Sequence, residues 1–467
     1  MTFSLSLTRV VGVAIFGLVV AVGLGLIANG SIADPIAQFT RLFFVVLCVF
    51  GLKFCSLREW LLFVVAVTLT IAAGPRPDAP ARLSDALDLA AFFAAFIIAL
   101  TLIKEAAARS RSVLKVGRYL TTRPPGRRYF AIAVGGHLMG VFLNFGAVSL
   151  LAPLIQNGTR DDGGQIDPDL ERRQITGLIR GFSWILLWAP TTLSQAVLLT
   201  LFSGVNYSLL VGTGLGASAV FILLGRAVDK YEWRHLKQRP SPGGDPTLPK
   251  RSIAIVTLVC ATLVAGTFGL MALMGFTVAQ ALLFVAPVTT AVWLLVQSRT
   301  ATGKPEIVWR LGDIFAIQDA AAPGLARNAI ALGLSGFIGR AAAMILPVSD
   351  LATQLNLAAM PSWLFLAMLP VLITIGGQVA LSPILIVVFL GEVFQAIPNL
   401  PATPTQIVFA LSAGWSLSMT ASPNATATLL ISSTCGIPPT KLTWKWNGHY
   451  ALMCYAVLVV FFFLSSF

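Results

Sequence analysis

The residues with chemistry to do are the polar ones set inside membrane-length apolar stretches. Residues 414–431 read GWSLSMTASPNATATLLI, an apolar segment whose centre carries Thr420, Ser422, Pro423, Asn424, Thr426 and Thr428. In hydrocarbon every backbone group must be paired, and a proline removes a donor and disrupts the turn before it. Such a break belongs where it faces protein or a water-filled cavity. Hydroxyl and amide groups at Asn144, Ser149, Thr191, Thr192, Gln378, Ser382, Ser422, Asn424 and Thr426 can hydrogen-bond an anion or hold a small cation through oxygen. Gly146, Pro190, Gly376, Gly377 and Pro423 are the helix breakers beside them. Half-helix N-termini at such breaks favour an anion, and the opposite ends favour a cation. His137 and Glu392 are the candidates for proton coupling, since both stand inside apolar segments. Arg340 can meet an anionic substrate or snorkel from a helix end, and Arg180 carries the same two readings.

The segment at 414–431 has an earlier counterpart, 181–199, which reads GFSWILLWAPTTLSQAVLL. Gly181, Ser183 and Pro190 answer Gly414, Ser416 and Pro423, each 233 residues on. A second pair lies upstream: NFGAVSLLAPLI from Asn144 and TIGGQVALSPIL from Thr374 match Gly146 to Gly376 and Pro153 to Pro383, 230 residues apart. Two motif pairs at nearly one offset point to an internal duplication. Interrupted hydrophobic segments in matching halves mark a transporter's binding site.

The elements that must position these residues follow from composition. Hydrophobic residues make up 57% of the 467 and charged residues 11%, so the chain reads as an all-α polytopic membrane protein. The net charge of +13 reflects basic loops on one side of the membrane rather than nucleic-acid binding. Five scattered cysteines form no CxxC pair, so neither a disulfide framework nor a zinc site is expected.

Along the chain, apolar helices are expected near 8–28, 40–55, 57–74 and 89–107, with residues 75–88 as an outer loop. A basic loop, Lys104 to Arg128, marks the inside. Residues 129–155 read as a re-entrant hairpin and 177–203 as the first interrupted helix, followed by a helix at 208–225. Residues 226–251 form a solvated linker. The second half repeats the plan with helices at 252–276, 277–297 and 328–346, a hairpin at 363–394, an interrupted helix at 407–434 and a last helix at 450–467. The third basic loop holds Arg299, Lys304, Arg310 and Arg327, and the 347–362 loop holds only Asp350. Domain organisation is therefore an N-terminal helix (1–38), a first repeat (39–225), the linker, and a second repeat (252–467) of opposite topology. About eleven crossings and two hairpins result, with the N-terminus inside and the C-terminus outside, in a bacterial cytoplasmic membrane.

This arrangement resembles the ion transporter superfamily, and most of all its divalent anion/sodium symporter branch, over almost the whole chain. The breaks Ala189-Pro190-Thr191-Thr192 and Ser422-Pro423-Asn424-Ala425 look like that family's. The branch's Ser-Asn-Thr hairpin signatures are absent. Asn144-Phe145-Gly146 and Gly376-Gly377-Gln378 occupy the two tips instead. The resemblance implies an elevator-type transporter, often a homodimer, with a bound sodium ion where the coupling is to sodium and no other cofactor.

The reading is a secondary active transporter for a small anionic solute, a carboxylate or inorganic anion, coupled to sodium or protons. Its partners are that solute, its ion and membrane lipid. The alternative is a cation/proton antiporter or metalloid exporter of the same superfamily, which calls for a midplane carboxylate. A further rival is a membrane enzyme acting on lipid-linked substrates, which calls for large charged outer loops. The sequence contains neither GxxxxGK[ST] nor HExxH, and no enzyme is expected.

Overall fold

The computed structural model describes residues 2–108, 110–121, 125–160, 164–234, 247–302, 311–346, 354, 357–395, 397 and 399–465. The expected loop positions Arg109, Arg123, Lys237, Arg239, Lys304, Arg310 and Asp350 lie outside the described residues. Among the described residues the chain is helical, with one isolated bridge between Arg160 and Ile166 and no strand.

In chain order the helices are α1 (Thr2–Ile27), α2 (Ala33–Gly51), α3 (Leu57–Ala73), α4 (Ala79–Ala108), α5 (Arg111–Thr121), α6 (Pro125–Leu143), α7 (Phe145–Gly158), α8 (Pro168–Phe182), α9 (Leu193–Leu201) and α10 (Tyr207–Glu232). The second half supplies α11 (Lys250–Met274), α12 (Val278–Thr302), α13 (Leu311–Ile345), α14 (Ser362–Gln378), α15 (Pro383–Gln395), α16 (Pro404–Ala421), α17 (Thr426–Cys435) and α18 (Gly448–Leu464). Six described stretches are long and apolar enough to cross a membrane, and Ser362–Gln378, Pro383–Gln395 and Gly448–Leu464 are among the shorter apolar ones.

Several boundaries differ from the sequence expectation, each for a local reason. The outer loop expected at 75–88 shrinks to a turn, and α4 starts at Ala79. Its charged first turns are tolerated because Arg41 grips Asp88 with a two-point fork, Nε to Oδ1 at 2.7 Å and Nη2 to Oδ2 at 2.6 Å. The first interrupted helix starts at Pro168 rather than 177. Asp167 caps it by accepting from the amides of Asp169 and Leu170, with proline at the first helical position. The linker expected from 226 begins only after Glu232, since Asp229 takes a fork from Arg173 (2.9 and 2.8 Å) and Glu232 pairs with His449 at 2.8 Å. α13 likewise begins at Leu311, not 328.

Two compact units emerge, and they do not follow the two sequence halves. Unit 1 comprises Met1–Ala106, Leu263–Leu355 and Ile384–Ile397; unit 2 comprises Ala107–Thr262, Asn356–Pro383 and Pro398–Phe467. Each draws on both halves. Both interrupted helices belong to unit 2, whereas the stretch 363–394 is divided at Pro383.

Unit 1 is internally ordered by its few charges. At one end lie the Arg41–Asp88 fork, Arg76 donating to the Ile345 carbonyl at 3.2 Å, and Arg340 paired with Glu392 at 2.6 Å. The N-terminus of α3 carries another set: the Ser56 amide and hydroxyl both donate to Glu59 Oε2 (2.8 and 2.5 Å), and Arg327 donates to Ser56 at 3.1 Å.

Candidate functional site

In unit 2, α6 ends one residue before α7, and the joint is Asn144, with φ +50°. The break in the first interrupted helix is a 3-10 turn over Ser183–Leu187 followed by residues 188–192. The hydrogen bonds lost there are replaced by side chains. The Thr191 hydroxyl donates to the Val141 carbonyl near the end of α6, and Thr192 donates to the Ala189 carbonyl at 2.7 Å. Ser194 Oγ and Gln195 Nε2 both donate to the Leu186 carbonyl, at 3.0 and 2.8 Å. His137, buried on α6, has its Nδ1 2.9 Å from the Gly181 carbonyl, and its Nε2 accepts from Trp188 Nε1 at 3.1 Å. These partners fix the neutral tautomer with the proton on Nδ1.

The second break, residues 422–425 between α16 and α17, is built alike. Ser422 Oγ donates to the Gly377 carbonyl at 2.6 Å, and Asn424 Nδ2 donates to the carbonyls of Gly377 (3.1 Å) and Gln378 (3.0 Å). Those carbonyls end α14; that of Gly377 also accepts from the Ala380 amide at 3.2 Å in the turn that follows. Gln378 returns the contact, Nε2 to the Ala421 carbonyl at 3.1 Å, while its Oε1 accepts from Trp444 at 3.1 Å. A Cβ on Gly377 would stand 2.6 Å from Ser418 Oγ and 3.1 Å from Ser422 Cβ, so glycine gives this close approach its room. The turn onward to α15 holds Ala380 at φ +62°.

The two breaks share more than composition. Gln195 Nε2 reaches back nine residues to the Leu186 carbonyl, and Thr428 Oγ reaches back nine residues to the Met419 carbonyl at 3.4 Å. The donors are 233 residues apart, and so are the acceptors. Thr191 and Asn424, each next after the break proline, donate to carbonyls near the C-terminal ends of α6 and α14 respectively. Gly181 and Gly414 each sit where another backbone passes: a Cβ would meet the Ala133 carbonyl in the first case and, at 2.7 Å, Pro370 Cα in the second. Gln195 Nε2 also donates to Ser412 Oγ on α16 at 3.0 Å, tying the two interrupted helices together. Ser412→Ala should lower stability by about 1 kcal/mol, the worth of one neutral hydrogen bond, because Gln195 keeps its Leu186 acceptor. Thermal unfolding in detergent checks this.

What remains unused at the breaks is specific. α9 and α17 both begin without a side-chain cap, as α2, α7, α14 and α18 also do, whereas α8, α10 and α16 are capped by Asp167, Asn206 and Thr403. The first-turn amides of α9 and α17 carry the positive end of the helix dipole into the breaks. Side-chain donors are largely spent on carbonyls. Oxygens are not: Gln195 Oε1 and Asn144 Oδ1 are buried without a hydrogen-bond partner. The pattern offers amide N–H groups to an anion and bare oxygens to a hard cation.

Of the residues singled out from sequence, Thr191 and Thr192 meet at the first break, and Gly377, Gln378, Ser422 and Asn424 meet at the second. Pro190 and Pro423 are buried within the breaks. Gly146 and Gly376 lie inside α7 and α14, and Ser382 is buried in the turn before α15. Ser149 bonds only its own helix, to the Phe145 carbonyl at 3.2 Å, and Thr426 is exposed. Glu392 belongs to unit 1 and is paired with Arg340.

Gln195 escaped the sequence reading, although an amide three residues past the broken Pro190-Thr191-Thr192 run was the available signal. Arg180 does not snorkel from a helix end. It is 1% exposed, donates to Asn447 Oδ1 at 2.8 Å and the Trp446 carbonyl at 2.9 Å, and lies 4.7 Å over the Tyr450 ring. It is a packed internal cation held by neutral oxygens and a π face, with its Nη1 buried and without a hydrogen-bond partner.

No protein-family model matches the chain, and no curated protein is significantly similar to it. Solved structures share its fold. One is the YdaH transporter of Alcanivorax borkumensis, described as having an unusual topology: TM-score 0.55, 16% identity, covering 88% of this chain and 99% of that one. Another is MtrF of Neisseria gonorrhoeae, described as illuminating a class of antimetabolite efflux pumps: TM-score 0.56, 13% identity, covering 89% of this chain and 96% of that one. The chain therefore has the fold of integral-membrane transporters.

Proposed function

We propose that the protein is a secondary active transporter that moves a small anionic solute together with a cation. The observation that carries this reading is the pair of breaks in unit 2. Each presents an uncapped half-helix N-terminus, and buried oxygens without partners stand at Asn144 and Gln195. An anion at the amides and a cation at the oxygens would each neutralise a group that folding leaves unsatisfied. Sodium suits bare carboxamide oxygens, which are hard, neutral ligands. Proton coupling through His137 is less favoured, since a proton on Nε2 would cost the Trp188 hydrogen bond. The matched bonds of Gln195 and Thr428 support the duplicated, inverted design of the ion transporter superfamily, and an elevator motion and a homodimer belong to the same proposal. MtrF's description makes export the direction to test beside import.

The test is transport by the reconstituted protein. Liposomes carrying it should accumulate one member of a panel of labelled carboxylates and inorganic anions. A sodium gradient should raise that rate at least ~10-fold, within the usual range of ion coupling. Stimulation by a pH gradient alone would move the coupling to protons. No transport of any anion under either gradient would overturn the proposal.

A further inference from the structure

One end of unit 1 holds a cleft that the proposed transport site does not use. Its volume is about 380 Å³, and it is lined by Arg82, Asp85, Arg340, Met344, Glu392 and Gln395. In a chain with 11% charged residues, two guanidiniums and two carboxylates around one small cavity is a concentrated arrangement. The contrast with the neighbouring ion pair is informative. Arg41 and Asp88 engage each other at two points and leave little unspent. Arg340 and Glu392 touch at one point, Nε to Oε1 at 2.6 Å, and Arg340 Nη1 only grazes the Asp85 carbonyl at 3.5 Å. Among the described residues, Glu392 Oε2, Arg340 Nη2 and the Asp85 carboxylate carry no further hydrogen bond or ion pair. The pair is half-buried, with side-chain exposures of 27% and 21%, so its charges are less screened than surface charges are.

We propose that this cleft binds a small zwitterion that carries a carboxylate and an ammonium group a few ångströms apart, as a neutral α-amino acid does. The carboxylate joins the unused face of Arg340, with Arg82, whose Nε is paired with Asp78 at 2.8 Å, at the rim, and the ammonium joins Glu392 Oε2 and Asp85. Sign complementarity selects the class. A simple anion placed at Arg340 meets the Glu392 carboxylate beside it, and a simple cation placed at Glu392 meets the guanidinium. Only a dipolar solute meets an opposite charge at both ends. The volume is of the order of a single small metabolite rather than a peptide.

Equilibrium binding to the detergent-purified full chain tests this with L-alanine and L-glutamine as probes. Propionate and propylamine serve as the one-charge controls, and calcium chloride as the divalent control. The expected result is saturable amino-acid binding, with each one-charge control at least ~10-fold weaker. The double substitution Arg340→Gln with Glu392→Gln removes both partners together and avoids leaving one charge stranded. It should weaken binding at least ~10-fold while Gly212→Ala, at a position with open space around it, leaves it unchanged. Four results would overturn the proposal: absence of amino-acid binding; equal binding of propionate or propylamine; calcium binding that excludes the amino acids; or loss of binding in Asn424→Ala with retention in the double variant. The last would move the ligand to the broken-helix site and leave the transport reading standing.

Discussion

Asn424→Ala is expected to reduce transport at least ~10-fold, a loss of about 1.4 kcal/mol or more of coupling or transition-state stabilisation. Asn424 donates to two carbonyls that end α14, Gly377 and Gln378, and on the proposed reading its own carboxamide oxygen serves a ligand. The alanine variant strands the Gln378 carbonyl, because Ser422 still serves only Gly377. An unmet partly buried acceptor costs about 1–3 kcal/mol, so the turn between α14 and α15 loosens as the ligand oxygen disappears. Asn424→Asp should be worse for an anion. It keeps the oxygens but faces two carbonyls 3.0–3.1 Å away with a negative charge. Thr426→Ala, two residues on, should leave transport unchanged, because Thr426 is exposed. Initial-rate uptake into liposomes, normalised to reconstituted protein, measures all three.

Among the described glycines, Gly181→Ala should be the most damaging. The new Cβ would lie against the backbone of Ala133, which cannot rotate away as a side chain can. Overpacking of a helix contact typically costs about 1–3 kcal/mol and more where the neighbour is backbone. A fall in melting temperature of several degrees, or loss of folded protein from the membrane, is expected. Gly414→Ala meets Pro370 Cα at 2.7 Å and should behave in the same way to a smaller degree. Gly212→Ala and Gly216→Ala on α10 meet nothing within 4 Å and should hold or raise the melting temperature, since alanine is the better helix former. Equal effects at all four glycines would mean that helix propensity, not close backbone approach, governs them.

The two broken segments were legible in the sequence because proline and small polar residues in an apolar run violate the rule for lipid-facing helices. Pro190 and Pro423 mark their centres, and their spacing pointed to the pairing that the bonds of Gln195 and Thr428 repeat. Partners from distant elements were not legible. Gln195 reads as a single amide in an apolar helix until Ser412 arrives 217 residues later, and Trp444 reaches Gln378 from 66 residues away. Charge misled the boundary of α4: Asp85 and Asp88 look like loop residues when Arg41 is unseen. Arg173 did the same for Asp229 at the end of α10. Unit membership was hidden for a different reason. Contiguous halves of sequence are interleaved in space, so Glu392, close in sequence to the second hairpin tip, falls in unit 1 with Arg340.

The measurement that bears most directly on the paired-ligand site is reciprocal linkage in the purified protein. Anion affinity is read from thermal stabilisation at several sodium concentrations, and sodium affinity from the same assay at several anion concentrations. Two ligands that share the broken-helix site must change each other's affinity by one common factor, and a ligand that binds only the folded state raises the melting temperature by mass action. The expected result is an equal, positive factor in both directions that disappears in Asn424→Ala. Anion binding indifferent to sodium, or a factor that survives in Asn424→Ala, would contradict a joint anion and cation site at the breaks.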